Sequence, residues 1–330
     1  MIPLLLSLSL VATPHKTSRI GPPKLRAVVQ VYREGLELID GDGREVGHPF
    51  RRYGKDAELS PGPGVSFAVV SGSSVATYEG PKLLSIVPFH GFTEVVGWAG
   101  KWPIVQSDNK TYQVTKGQAT RLPAKLTNSD QIAGDGAGNY VCASAFYKGE
   151  DSWVEYLVFA LENGDQKTLL PKLGISAGAV AYAGNRAFLA THANFRSIES
   201  PQDSGSLSVL DLKNGTTKTL TQRTNTAWNI TQPDELGRYW VTESGYFVAV
   251  RKKFFDWHRV YKFTQAKGLE RLGYMKGDYL AYGVDKTDRY LIGHHVYGFE
   301  MGAYDLVATD LRNFKEEPIC HGVEEYKRIE

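Results

Sequence analysis

The stretch Ser206 to Gln222 reads SLSVLDLKNGTTKTLTQ, two strand-like runs on either side of Asn214-Gly215. An Asn-Gly pair in that setting is the strongest short-range signal of a β-hairpin, because both turn residues must tolerate positive φ. Comparable hairpins are expected at Gly35 to Pro49, Ser74 to Pro88, Thr111 to Lys125, Val154 to Lys172, Trp257 to Gly273 and Ala303 to Ile319. They recur roughly every 40 to 50 residues, the size of one small sheet in a repeat fold.

A second periodic feature precedes the hairpins. It reads GDGAGNYVCAS from Gly134, AYAGNRAFLAT from Ala181, PDELGRYWVTE from Pro233 and VDKTDRYLIGH from Val284. In each, Asp or Gly makes a turn, and the apolar run behind it suits a strand buried between neighbouring sheets. Together the repeats predict an all-β, seven-bladed β-propeller over residues 24–330, one closed domain. The first unit lacks an innermost strand ahead of Ala27, so Val323 to Ile329 (VEEYKRI) is expected to pair there and close the ring. Six blades with an N-terminal arm is the alternative; a sandwich fits poorly, since consecutive similar hairpins do not make a Greek key. The turn-plus-aromatic pattern resembles secreted propeller repeats of the NHL and two-component-regulator types. That resemblance implies a fold and no activity.

Composition narrows the partners. A net charge of +2 is too small for the whole surface to trap a polyanion, so no nucleic-acid partner is expected. Ile2 to Val11 (IPLLLSLSLV) has the length of a signal-peptide apolar region and is too short to span a bilayer. Residues 1–13 therefore read as a signal peptide and 14–23, with Pro14, Gly21, Pro22 and Pro23, as a linker. The expectation is an exported, extracytoplasmic monomer without a membrane span. Cys142 and Cys320 fall in different units and are expected to stay unbridged. No phosphate loop or HExxH occurs, and no catalytic residue is assigned.

The connections between the second and third strands of a unit are tight in the first half of the chain and long in the second: Ala145 to Trp153, His192 to Gly205, Ser244 to His258 and His294 to Gly302. Long loops on a rigid scaffold carry function. Trp153, Phe195, Arg196, Arg251, Trp257, His258 and Tyr297 are candidates for stacking sugars or holding carboxylates on a glycan or a protein segment. Aligning the second strands on NRAFLATH, GRYWVTES and DRYLIGHH places His192 with His295, and Glu243 and Ser244 with His294 and His295. His192, Glu243, His294 and His295 would suit one divalent metal ion such as Zn, Mn or Fe, or acid–base work. That set resembles the propeller polysaccharide lyases of the oligogalacturonate type, in which histidines of neighbouring blades hold a metal. The main reading is a non-enzymatic binding module without a cofactor; the alternative is a metal-dependent lyase or hydrolase acting on an anionic carbohydrate.

Overall fold

The computed structural model describes residues 25–126, 131–148, 151–160, 166–173, 177–182, 186–191, 204–211, 216–224, 226–245, 257–276, 278–296 and 304–330. The leader and linker expected at 1–23 and the Asn214-Gly215 turn lie outside them. The described residues form strands and two three-residue 3-10 turns, Arg51–Tyr53 and Ala124–Leu126. None of their helices is long and apolar enough to cross a membrane.

The strands make six sheets, in five of which they follow one another singly across the sheet, whereas the eight-stranded one joins two such runs through their first strands. Sheet I holds Val323–Arg328, Arg26–Val31 and Gly35–Asp40; sheet II holds Glu58–Pro61, Ser66–Ser71, Ser74–Glu79 and Lys82–Pro88. Sheet III has eight strands: Thr93–Ala99, Trp102–Ser107, Lys110–Thr115 and Gln118–Arg121, then Gln131–Gly134, Asn139–Lys148, Asp151–Ala160 and Gln166–Leu173. Sheet IV is Ala177–Tyr182, Arg186–Thr191, Ser204–Asp211 and Thr217–Thr224; sheet V is Thr226–Ile230, Tyr239–Gly245, Trp257–Thr264 and Gly268–Lys276. Sheet VI is Asp278–Val284, Tyr290–Val296, Tyr304–Asp310 and Lys315–Cys320. Five of the six sheets thus carry four or more strands, and they are arranged as a β-propeller.

Six of the expected hairpins are present as paired third and fourth strands. The one at Gly35 to Pro49 is not: after Asp40 the pairing shrinks to a single bridge between Ile39 and Glu45, and sheet I stops at three strands. The two halves of sheet III join where the inner strands Thr93–Ala99 and Gln131–Gly134 run parallel, Gly97 opposite Ile132. A Cβ on Gly97 would overlap the Ile132 carbonyl, so this close approach requires glycine.

Apolar layers between successive sheets hold the ring together. Val28, Phe50, Phe67 and Tyr78 fill the layer between sheets I and II; Val70, Val87, Trp98 and Val105 that between II and III. Phe188, Leu207, Trp228 and Val241 lie between IV and V, Trp240, Val260, Met275 and Leu291 between V and VI, and Val29, Ile292, Leu306 and Tyr326 between VI and I. The second strands, such as Arg26–Val31 and Ser66–Ser71, are packed on both faces, which is why they read as continuous apolar runs.

Asp residues set the turns from first to second strand. The Asp135 carboxylate accepts from the backbone N–H of Ala137 and Asn139 at 2.7 and 3.1 Å, and Asp234 from Leu236 and Arg238 at 2.9 Å each. Asp285 accepts from Thr287, Arg289 and Tyr290 at 3.2, 3.0 and 2.8 Å. These side chains take the place of missing ladder bonds and fix where each buried strand begins.

The C-terminal strand Val323–Arg328 pairs antiparallel with Arg26–Val31, Tyr326 opposite Val29 and Lys327 opposite Val28. It also ties the axis at the turn face. Arg328 donates to the Val284 carbonyl at 2.6 Å and pairs with Glu235, Lys327 donates to the Gly62 carbonyl, and Gly64 N–H reaches the Pro233 carbonyl at 2.6 Å. Lys327 is 9% exposed. Burial pushes its ammonium down to about 7 from an ordinary 10.5, against the opposite pull of Glu235 and Asp234.

Between those two values the unfolded chain holds a proton that the folded protein has released, so stability rises with pH across this window; below about 7 both states are charged and the cost of burial is complete. The urea midpoint should therefore climb from pH 7 to pH 9 more steeply in the wild type than in Lys327→Met. Identical pH profiles would contradict a buried, depressed lysine.

Candidate functional site

In sheets III to VI the second strands all run toward one face of the ring and the third strands return from it. The flanking positions on that face are Lys148 and Asp151, Thr191 and Ser204, Gly245 and Trp257, and Val296 and Tyr304. Sheet III extends furthest as a regular ladder, its 10-residue second and third strands pairing Phe146 with Trp153 and Lys148 with Asp151. Three of the expected long connections, after Thr191, Gly245 and Val296, begin and end on this shared face; the fourth, expected from Ala145 to Trp153, is instead strand, paired as far as Lys148 and Asp151. On the opposite face lie the short Asp-capped turns at Asp135, Asp234 and Asp285.

The candidate residues divide between described and undescribed positions. His192, Phe195, Arg196, Arg251 and Tyr297 lie outside the described residues. Trp153 stands opposite Phe146 and Leu173, and Trp257 opposite Gly245 and Lys276, at the ends of strands on the loop face. His295 pairs with Tyr279 and Asp305. Those three are placed by their backbones.

Glu243, His258 and His294 are fully described, and they occupy three different layers. Glu243 is 0% exposed between sheets IV and V. Its carboxylate accepts from the Tyr261 hydroxyl at 2.5 Å and from Arg259 Nη1 at 3.3 Å. His258, also buried, stands opposite Ser244 and Met275; it alternates with Val260 on the face turned to the layer between V and VI. His294 lies toward the layer between VI and I, 4% exposed, with Nδ1 2.6 Å from the Tyr282 hydroxyl and its ring stacked on Tyr304 at 5.4 Å.

Burial pushes His294 down to about 3, so the imidazole is neutral, and burial holds the Tyr282 hydroxyl protonated. With Tyr282 donating to Nδ1, the one hydrogen of the neutral ring sits on Nε2, an atom without a hydrogen-bond partner among the described residues.

The alignment of strand ends differs from the structure by one residue. The turn at Asp234 closes with Asp234 N–H on the Arg238 carbonyl, whereas the turn at Asp285 closes on Tyr290 and is one residue longer. His295, rather than His294, thus stands where Glu243 stands, and a slip of one residue moves a side chain to the other face of its strand. Sheets V and VI separate Glu243 from His294, so the structure does not bring these two together. Among the described residues no group of three or more His, Cys, Asp or Glu side chains is arranged to hold a metal ion. Tyr282 and Tyr304, which enclose His294, were not singled out by sequence; Tyr282 sits at a bulge between Ala281 and Gly283, and no local pattern announces it.

No protein-family model matches the chain, and no curated protein does. Among solved structures, oligogalacturonate lyase in complex with manganese is similar over 90% of this chain and 84% of its own, at TM-score 0.51 and 9% identity. The tricorn protease is similar over 92% of this chain and 32% of its own, at TM-score 0.50 and 12% identity. The β-propeller domain of the Trilobed protease from Pyrococcus furiosus aligns over 79% of this chain and 82% of its own, at TM-score 0.43 and 9% identity. At such identities the likeness is one of fold.

If Glu243 anchors a buried ion pair between neighbouring strands of sheet V, Glu243→Ala removes the acceptor shared by Arg259 Nη1 and the Tyr261 hydroxyl and costs about 3 kcal/mol in urea unfolding. Glu243→Gln, which retains an acceptor for Tyr261, should lose less. A change within about 0.5 kcal/mol for the alanine variant, the range of ordinary surface substitutions, would contradict that role.

Proposed function

We propose that the protein is an exported, seven-bladed β-propeller that binds a glycan or protein segment on the face where the connections between second and third strands of sheets III to VI emerge. The count takes sheet III as two blades, since each half has its own inner strand and hairpin and the halves meet only through parallel inner strands. In this reading the repeats are of the NHL and two-component-regulator kind, residues 1–13 direct export and 14–23 link the leader to the ring.

One observation carries the binding role: four strand pairs end on the same face and are joined by connections that hold Trp153, Phe195, Arg196, Arg251, Trp257, His258 and Tyr297 at or beside their ends. On the opposite face the described turns at Asp135, Asp234 and Asp285 are short and locked to their own backbones. A rigid ring that pre-orders several loops lowers the ordering cost of capturing an extended ligand. Aromatic rings beside guanidinium groups suit sugar faces with carboxylate substituents, or an acidic peptide.

The second reading keeps a divalent metal and a lyase or hydrolase activity. The observation that favours it is the buried, neutral His294 with an unengaged Nε2, next to His295.

A polysaccharide array that includes polygalacturonate, probed with the purified protein, separates the two. The binding reading expects retention on at least one polymer, a drop of about tenfold or more when Trp153 and Trp257 are both changed to Ala, and no response to EDTA. Stoichiometric Zn, Mn or Fe in the purified protein, with retention or turnover abolished by EDTA and by His294→Ala, would instead establish the metal reading.

A further inference from the structure

At the turn face, where the C-terminal strand meets sheets II, V and VI, the axis opens into a cleft enclosing about 480 Å³, open solvent included. We propose that this cleft binds a small oxyanion, a carboxylate or a phosphate, between the Lys327 ammonium and the Trp240 indole N–H.

Three polar groups point to it. Lys327 lines the cleft, is 9% exposed and has a single hydrogen bond among the described residues, to the Gly62 carbonyl, which leaves two N–H donors unused. Trp240 lines the cleft at 2% exposure, and its Nε1 has no acceptor among the described residues. The Gln232 side-chain oxygen, also in the lining, is buried without a partner, and a half-turn of that amide presents N–H instead. Buried polar groups are nearly always satisfied, so two orphaned ones in one lining, Trp240 Nε1 and the Gln232 amide, beside a lysine with donors to spare mark a place for a ligand that accepts hydrogen bonds.

The charges agree. Asp234 spends its oxygens on Leu236, Arg238 N–H and Arg238 Nε, and Glu235 is paired with Arg328. The Lys327 charge is left without a carboxylate of its own. Burial favours release of its proton, and an anion beside it opposes that release. The site exists only in the closed ring, because Lys327 belongs to the last strand and Trp240 to sheet V. An occupant therefore ties the closing strand to sheet V and stabilises the folded state by mass action.

The test is NMR of the ¹⁵N-labelled full chain, titrated separately with sodium acetate and sodium phosphate against sodium chloride of equal ionic strength. The readout is the Trp240 indole resonance, identified by its loss in Trp240→Phe. The expected result is a saturable shift with at least one oxyanion and none with chloride, weakened about tenfold or more in Lys327→Met. Acetate alone would identify a carboxylate site, phosphate alone a phosphate site. Gly283→Ala is the second variant: its Cβ would stand 3.2 Å from Trp240 Nε1, crowding the anion while Lys327 stays in place. It should also lose the shift, and it carries the test if Lys327→Met does not fold. No saturable shift with either anion, or a shift undiminished in the folded variants, overturns the proposal.

Discussion

The ladder between Val323–Arg328 and Arg26–Val31 is the constraint on which the molecule depends. A ring of small sheets has one junction where chain continuity does not hold neighbours together, and the C-terminal strand spans it by supplying the inner strand of the sheet that begins near the N-terminus. The same segment feeds two apolar layers, Tyr326 and Val323 of the strand toward sheet VI and Ile329, just beyond it, toward sheet II. Backbone pairing and side-chain burial act together there, and an open sheet edge is removed.

Closure also fixes the difference between the two faces. With Lys327, Arg328, Gly62, Gly64, Pro233 and Glu235 bonded to one another around the axis, the turn face is tied across its centre. The Asp-capped turns around it are short and satisfy their own N–H groups. Connections free to vary in length and composition are those on the other face, where the aromatic and basic loop sequences occur. The proposed binding role follows from this division of labour, and the oxyanion cleft is its counterpart: a gap left where the closing strand does not fill the axis.

Much of the fold was legible because the signals are local. Turn residues and alternating apolar positions located six paired hairpins, and the VEEYKRI tail had no other sheet to join. The inner strand Glu58–Pro61 escaped notice because it is four residues long and ends in proline, which weakens any strand pattern. The fourth strand of sheet I was overread: GREVGHP offers a turn and one alternation before Pro49 stops it. The site was less legible for a geometric reason. Equivalent positions in successive sheets lie in successive layers, so aligning strand ends does not make side chains meet. One extra residue in the Asp285 turn further separated Glu243 from His294. Lys327 and Gln232 looked ordinary in sequence, since nothing local reveals a buried ammonium or an amide that lines a cleft.

Amide hydrogen exchange across the closing ladder addresses the central claim most directly. Backbone N–H groups that pair Val28 and Gln30 with the C-terminal strand should exchange only through global unfolding, with the same free energy as those in the inner strands of sheets II and III. Exchange at these positions through a much cheaper opening, while sheets II and III stay protected, would show that the C-terminal strand is an appendage and that the ring is held by something else.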